Sequence, residues 1–151
     1  MEAITLSIAV LGAVLGLINT WYNIDKSRVK LKVRPANVYP INMPNIYKEI
    51  NFCIEVTNLS SFPVTVSEVG FLYSDTKARD VIINPIIIDG REWPRRLEPR
   101  SSVTCYIKLD KSIIRNKIKC AYAKTQCGVI KTGKSPSLKY IKKGGIYHDK
   151  S

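Results

Sequence analysis

A mainly β protein with an N-terminal transmembrane helix is the fold class this sequence predicts, and three observations predict it. Residues Ala3 to Tyr22 form one uncharged, mostly apolar run. Beyond it, short segments alternate apolar and polar residues with the period of two that marks half-buried strands. Turn-forming Asn, Ser, Gly and Pro separate those segments, and no long amphipathic helical pattern interrupts them. The expected architecture is a transmembrane anchor over residues 1–25, an Ig-like antiparallel β-sandwich of about seven strands over 26–133, and a basic tail over 134–151.

Twenty helical residues at about 1.5 Å each span roughly 30 Å, the thickness of a bilayer's hydrocarbon core. A cleaved signal peptide would carry a basic start and a small-residue cleavage site. Met1-Glu2 supplies no basic residue and Asn19-Thr20-Trp21-Tyr22 no Ala-x-Ala pattern, so the segment is expected to be retained. Trp21 and Tyr22 suit the headgroup level, where aromatic rings concentrate. Lys26, Arg28, Lys30, Lys32 and Arg34 follow the helix and no Lys or Arg precedes it. The positive-inside rule then sets the N-terminus outside and the following domain in the cytoplasm. Gly12 and Gly16 form a Gly-x-x-x-Gly spacing, extended by Ala9 and Thr20, that lets two helix backbones approach closely. A homodimer through this face is the expectation it carries.

Lys and Arg number 24 against 12 Asp and Glu, a formal net charge of +12. Beside an anionic leaflet, each basic residue that reaches the surface contributes about 1 kcal/mol of attraction. Lys139, Lys142 and Lys143 in the tail are the expected lipid-surface contacts. The same charge leaves a membrane-tethered nucleic-acid binder as the alternative reading. No helix-turn-helix, Cys/His finger or aromatic RNA-binding strand supports it, so nucleic acid is not the expected partner.

Taken in order, Arg28 to Arg34 alternates strictly, with Val29, Leu31 and Val33 inward, and Pro35 is expected to end the strand. Residues 36–46 read as a loop. Glu49 to Thr57 turns Ile50, Phe52, Ile54 and Val56 inward, and Asn58 to Pro63 supplies a turn. The third strand begins with Val64 and Val66 and continues with Val69, Phe71 and Tyr73, a parity change that predicts a bulge at Ser67-Glu68. Val81 to Ile88 is apolar on both faces and reads as a buried strand interrupted by Pro85. Leu97 to Ser102 leads into a strand with Val103, Cys105, Ile107 and Leu109 inward. A short helix is allowed at Asp110 to Arg115. Lys117 to Ala123, with Ile118, Cys120 and Tyr122 inward, and Val129 to Thr132 complete the set.

Two stretches, VTNLSSFPVTVSEVGF (Val56 to Phe71) and RRLEPRSSVTCYI (Arg95 to Ile107), resemble the hairpin and Leu-Glu-Pro turn of small bacterial and prophage Ig-like sandwich proteins. Several of those are similar throughout, with one N-terminal helix, a basic exit and a sandwich. The resemblance implies a protein of the bacterial inner membrane. Short prophage-encoded membrane proteins of this kind include factors of superinfection exclusion, which block entry of a second phage's DNA. That function is what the resemblance implies, with no residues attached to it.

The remaining residues carry little chemistry. Cys53 is expected to face outward with Asn51 and Glu55, and Cys120 inward, so the two cannot bridge. Cys105 and Cys120 are the expected core neighbours, as reduced thiols. Four cysteines without Cys-x-x-Cys spacing and a single His148 make no metal site. No nucleophile elbow or phosphate-cradling Gly-rich loop appears, so neither an enzyme nor a cofactor is expected. Asp89 and Glu92 flank Gly90-Arg91 and read as a solvated turn. Trp93, Arg95 and Arg96 are the candidate partner-binding residues, because Trp and Arg dominate binding hot spots. The favoured alternative is that Trp93 caps one end of the sandwich core while the arginines are solvated, because Trp is highly buried on average. The expected function is that of a non-catalytic, membrane-anchored interaction protein with an unidentified protein partner.

Overall fold

The computed structural model describes residues 2–39, 41, 49–76, 78–110 and 118–142. An apolar helix, α1 (Glu2–Ser27), precedes eight strands in two antiparallel sheets and a short second helix, α2 (Pro136–Lys142). None of α1 is buried against the β domain, and the helix is long and apolar enough to cross a membrane. Its Ser7 and Thr20 hydroxyls donate back to the Ala3 and Gly16 carbonyls at 2.8 Å. Such internal bonds remove the cost of carrying hydroxyls in an apolar medium.

One sheet has the order β1 (Leu31–Asn37), β2 (Phe52–Asn58), β6 (Ser102–Ile107). In the other, β4 (Arg79–Val81), β3 (Val64–Tyr73), β7 (Ile118–Thr125) and β8 (Ile130–Gly133) follow one another. A further strand, β5 (Arg95–Leu97), pairs with the start of β3 on the side away from β7. Phe52, Ile54 and Val56 from the first sheet meet Val66, Val69 and Phe71 from the second in one apolar core. The Phe52 and Phe71 rings are tilted at 52° with centroids 5.8 Å apart. Each such buried side chain contributes about 1.5–3 kcal/mol relative to exposure.

The alternating strands place their residues as the sequence predicts. Leu31, Val33, Ile50, Val103, Cys105, Ile107 and Leu109 are buried, and the β3–β7 register shifts between Val66 and Glu68, where the bulge is expected. Pro35 does not end β1. It pairs opposite Ile54 in a strand bonded on one side only, where a missing N–H costs no ladder bond. Val81 to Ile88 is not a buried strand. Only Arg79–Val81 pairs with β3, and Val81, Ile83, Ile86 and Ile88 are exposed.

The inward face of β7 is also the other one. Ala121 and Ala123 join the core opposite Phe71 and Val69, which turns Cys120 and Tyr122 outward. A second register shift, between Leu72 and Tyr73, lets Ile118 remain in the core. Cys105 and Cys120 are therefore not core neighbours. All four cysteines are free.

The segment after Lys134 is not wholly a loose tail. Leu138 and Ile141 of α2 are buried in the core cluster beside β1. Most of the helix expected at Asp110 to Arg115 lies outside the described residues, as do Lys143 and His148.

The junction between α1 and the β domain is short and bonded. The Leu59 amide donates to the Lys30 carbonyl at 2.7 Å, and the Lys30 amide to the Ser60 hydroxyl at 2.8 Å. Ser61 Oγ donates to the Lys26 carbonyl at 3.3 Å. Lys30 closes the junction with an ion pair to Asp25 at 2.6 Å.

Candidate interaction site

Beyond α1, nine large apolar side chains are exposed among the described residues, and four of them, Val81, Ile83, Ile86 and Ile88, fall within eight residues. Their segment leaves β4 and crosses to the other sheet. Ile82 still donates to the Val69 carbonyl at 2.9 Å. Ile86 then bridges Tyr106 of β6 through two backbone bonds of 2.9 and 3.2 Å. Ile82 and Ile87 pack on the core, which fixes the segment while its other isoleucines face solvent. Pro85, without an N–H, prevents a continuous ladder here.

Below this crossing lies a cleft of about 360 Å³, lined by Phe71, Val81, Ile86, Tyr106 and Leu109 with Asp80 and Lys108 at polar positions. The Asp80 carboxylate accepts the Tyr73 hydroxyl proton, and Lys108 Nζ lies 2.6 Å from Glu49. The arrangement offers apolar area framed by two charged groups of opposite sign, a composition suited to binding a protein segment.

Trp93, Arg95 and Arg96 do not form the expected exposed cluster. Arg95 lies on the same face of β5 as the core residue Leu97, is buried, and pairs with Asp89 at 2.6 Å. Its Nε is buried without a partner. Asp89 also accepts the Arg91 amide at 3.2 Å, so the turn around Gly90 is tied to β5 rather than left solvated. Trp93 is half-buried against the core, and Arg96 points outward onto Glu98 at 3.0 Å. Arg95 holds a loop; it is not available to a partner. Lys139 is exposed on α2, a docked helix rather than a free tail, and of Lys142 only the backbone is described. Gly12 and Gly16 have open space where a side chain would stand.

The outward side of β3 and β7 carries a second polar group that alternation did not reveal. Tyr122 lies opposite Gly70 and is wholly buried although it faces away from the core. Glu68 accepts from Lys124 at 2.7 Å and lies 3.5 Å from Arg79 and from the Tyr122 hydroxyl. The Arg79 guanidinium stands 6.0 Å from the Tyr122 ring centroid. The Lys124 hydrogen bond holds the Glu68 carboxyl below its ordinary value of 4.5, while burial and then Glu68 push the Tyr122 phenol up to about 12. A depressed carboxyl stabilises the fold fully above its unfolded value and loses that contribution as pH falls through the folded one. Glu68→Gln is thus expected to cost about 1 kcal/mol at neutral pH and nothing at pH below the folded value. Acid titration of the melting temperature checks this; parallel wild-type and variant curves from neutral to acid pH would refute it.

Among the described residues, no group of three or more His, Cys, Asp and Glu is placed to hold a metal ion. Burial raises the Cys53 thiol and lifts Cys105 to about 12, whereas the Thr125 hydroxyl, 3.1 Å away, lowers exposed Cys127. No protein-family model matches the chain, and no curated protein matches it.

Proposed function

We propose that this chain is a single-pass membrane protein whose β domain binds another protein through the cleft beneath the Val81–Ile88 crossing. The observation that carries the reading is the concentration of exposed isoleucines there, on a domain joined by hydrogen bonds to a helix able to span a bilayer. Clustered exposed apolar side chains mark interaction sites on soluble surfaces. Five basic residues after the helix favour a cytoplasmic domain in a bacterial inner membrane. Within that class, a non-catalytic accessory role in superinfection exclusion rests on the sequence resemblance alone.

A photocrosslinking residue at Ile83 or Ile88 of the full-length protein in cells is expected to capture one discrete partner. The same residue at Lys131, on β8 at the opposite edge of the second sheet from β4, is expected to capture none. Ile86→Asp should remove the crosslink while leaving the melting temperature within a few degrees. Equal crosslinking from the crossing and from Lys131 would sink the proposal. In the membrane, Gly12→Ile and Gly16→Ile are expected to weaken helix-mediated pairing, since larger side chains separate the backbones. Disulfide or chemical crosslinking within the bilayer reads this directly. Dimer signal unchanged in both variants would remove that face as an interface.

A further inference from the structure

The end of the β domain bonded to the exit of α1 contains an apolar and basic surface. It comprises the Asn58–Pro63 loop, the Glu98–Ser101 turn and the Gln126–Gly128 turn. These segments are held together: the Arg100 amide donates to the Asn58 carbonyl at 2.9 Å, and the Gln126 amide to the Thr65 carbonyl at 2.9 Å. A groove of about 380 Å³ runs between the first and the last of these, lined by Val29, Phe62, Pro63, Val64 and Cys127. Leu59, in the same loop as Phe62, is exposed.

Height along α1 fixes where this surface sits. From Tyr22 to Lys26 the helix advances about 6 Å at 1.5 Å per residue. The polar layer on each side of a bilayer is about 5–7 Å thick. With Tyr22 at the hydrocarbon boundary, the Lys26 carbonyl lies at the outer part of that layer, and Ser61 is bonded to it. Only Arg28, Val29 and Lys30 separate α1 from β1, and Lys30 is bonded to Leu59 and Ser60. These bonds hold the loop at headgroup height while the helix spans.

Charge then selects the lipid. Lys30 is neutralised by Asp25, and Arg96 by Glu98. Arg28 and Arg100 are exposed and have no acidic partner among the described residues, and Lys26 stands over the Tyr22 ring at 4.2 Å. Three cations without an acidic partner among the described residues thus stand at the same end of the domain as the apolar groove, on or beside the segments bonded to the helix exit. By contrast, β8 runs away from this end, since Ile130 pairs with Lys124 and Gly133 with Ala121, so the chain has already turned away from it before α2 begins.

We infer that this end of the domain docks on the leaflet and recruits anionic phospholipid, with Arg28 and Arg100 as the headgroup ligands. The inference rests on the membrane-anchored reading above. It moves the lipid contact from the C-terminal lysines to the helix-proximal loops.

Full-length protein in nanodiscs tests it. Cys127 is the exposed cysteine of the four, so it accepts a single fluorophore. Ser74→Cys with Cys127→Ser carries the control label at the far end of β3, about 30 Å along a ten-residue strand. Quenching is compared for phosphatidylglycerol and phosphatidylcholine probes bearing the same nitroxide near the top of one acyl chain. At residue 127 the anionic probe is expected to quench at least about twofold more, given about fivefold per basic residue at the surface. At residue 74 the two probes should be equal. Arg28→Gln with Arg100→Gln should bring the ratio at 127 to parity, and the Lys pair should restore it. Parity in the wild type, or a ratio untouched by the Gln pair or lost in the Lys pair, would overturn the docking inference alone. Protein that alkaline carbonate releases from membranes would overturn the anchored reading, and this inference with it.

Discussion

Asn58→Ala is expected to lower the stability of the β domain by about 3–4 kcal/mol, because one buried side chain closes its own loop and ties it to the Leu97–Glu98 turn. Its Nδ2 donates to the Phe62 carbonyl at 2.8 Å and is shared between the Leu97 and Glu98 carbonyls at 3.1 and 3.3 Å. Its Oδ1 accepts the Ser60 amide at 2.9 Å. The residue is fully buried, so alanine removes a donor from the Phe62 and Leu97 carbonyls and the acceptor of the Ser60 amide, while the Glu98 carbonyl keeps its bonds from Ser101. Each unsatisfied group costs about 1–3 kcal/mol, and the terms overlap because they share one side chain. Asn58→Asp should be at least as damaging, since it presents an oxygen to carbonyls that require a donor. Denaturation of the full-length protein in detergent, followed by the β signal in circular dichroism, measures both. A loss below about 1 kcal/mol for alanine would show that the loops hold without the side chain.

Gly70→Ala is expected to cost about 3 kcal/mol or more, or to detach β4 from its sheet. A Cβ at this position would overlap the Asp80 backbone carbonyl and lie 3.1 Å from Tyr122 Cε1. Backbone is the obstacle, so no rotamer change relieves it. Gly133→Ala meets the Val33 carbonyl in the same way, where β8 passes close to β1 of the other sheet. Gly12→Ala provides the control: nothing lies within 4 Å of its added Cβ, and the fold should not respond. Thermal melts of the three variants order the effects. A Gly70→Ala melt equal to wild type would show that β4 yields at no cost.

Strong alternation made most of the core legible. Phe52, Ile54 and Val56 lie between polar neighbours, so only one face can be buried without desolvating Glu55 or Thr57. The Val66 to Val69 parity change located a bulge for the same reason. Where both faces are apolar, alternation has nothing to choose between. In Ile118–Thr125 the sequence offers Cys120 and Tyr122 on one side and Ala121 and Ala123 on the other. The larger pair looked like core, yet the small pair fits beneath Phe71 and Val69 from the paired strand, and Gly70 leaves the space that buries Tyr122 outside.

The candidate surfaces divide along the same line. An uncharged run of spanning length and the Gly-x-x-x-Gly row of α1 are set by local composition and can be read from neighbouring residues alone. So can the mainly β class, because period-two alternation and turn residues act within a few positions of the chain. Packing between distant segments turns Arg95 inward to Asp89, leaves Ile83, Ile86 and Ile88 exposed, and draws α2 onto the core through Leu138 and Ile141. It also brings Ser61 to Lys26 and so sets the loops at the helix exit. Those outcomes depend on which distant segment supplies a counter-ion, a carbonyl or a covering side chain, and separation in sequence carries no record of that choice.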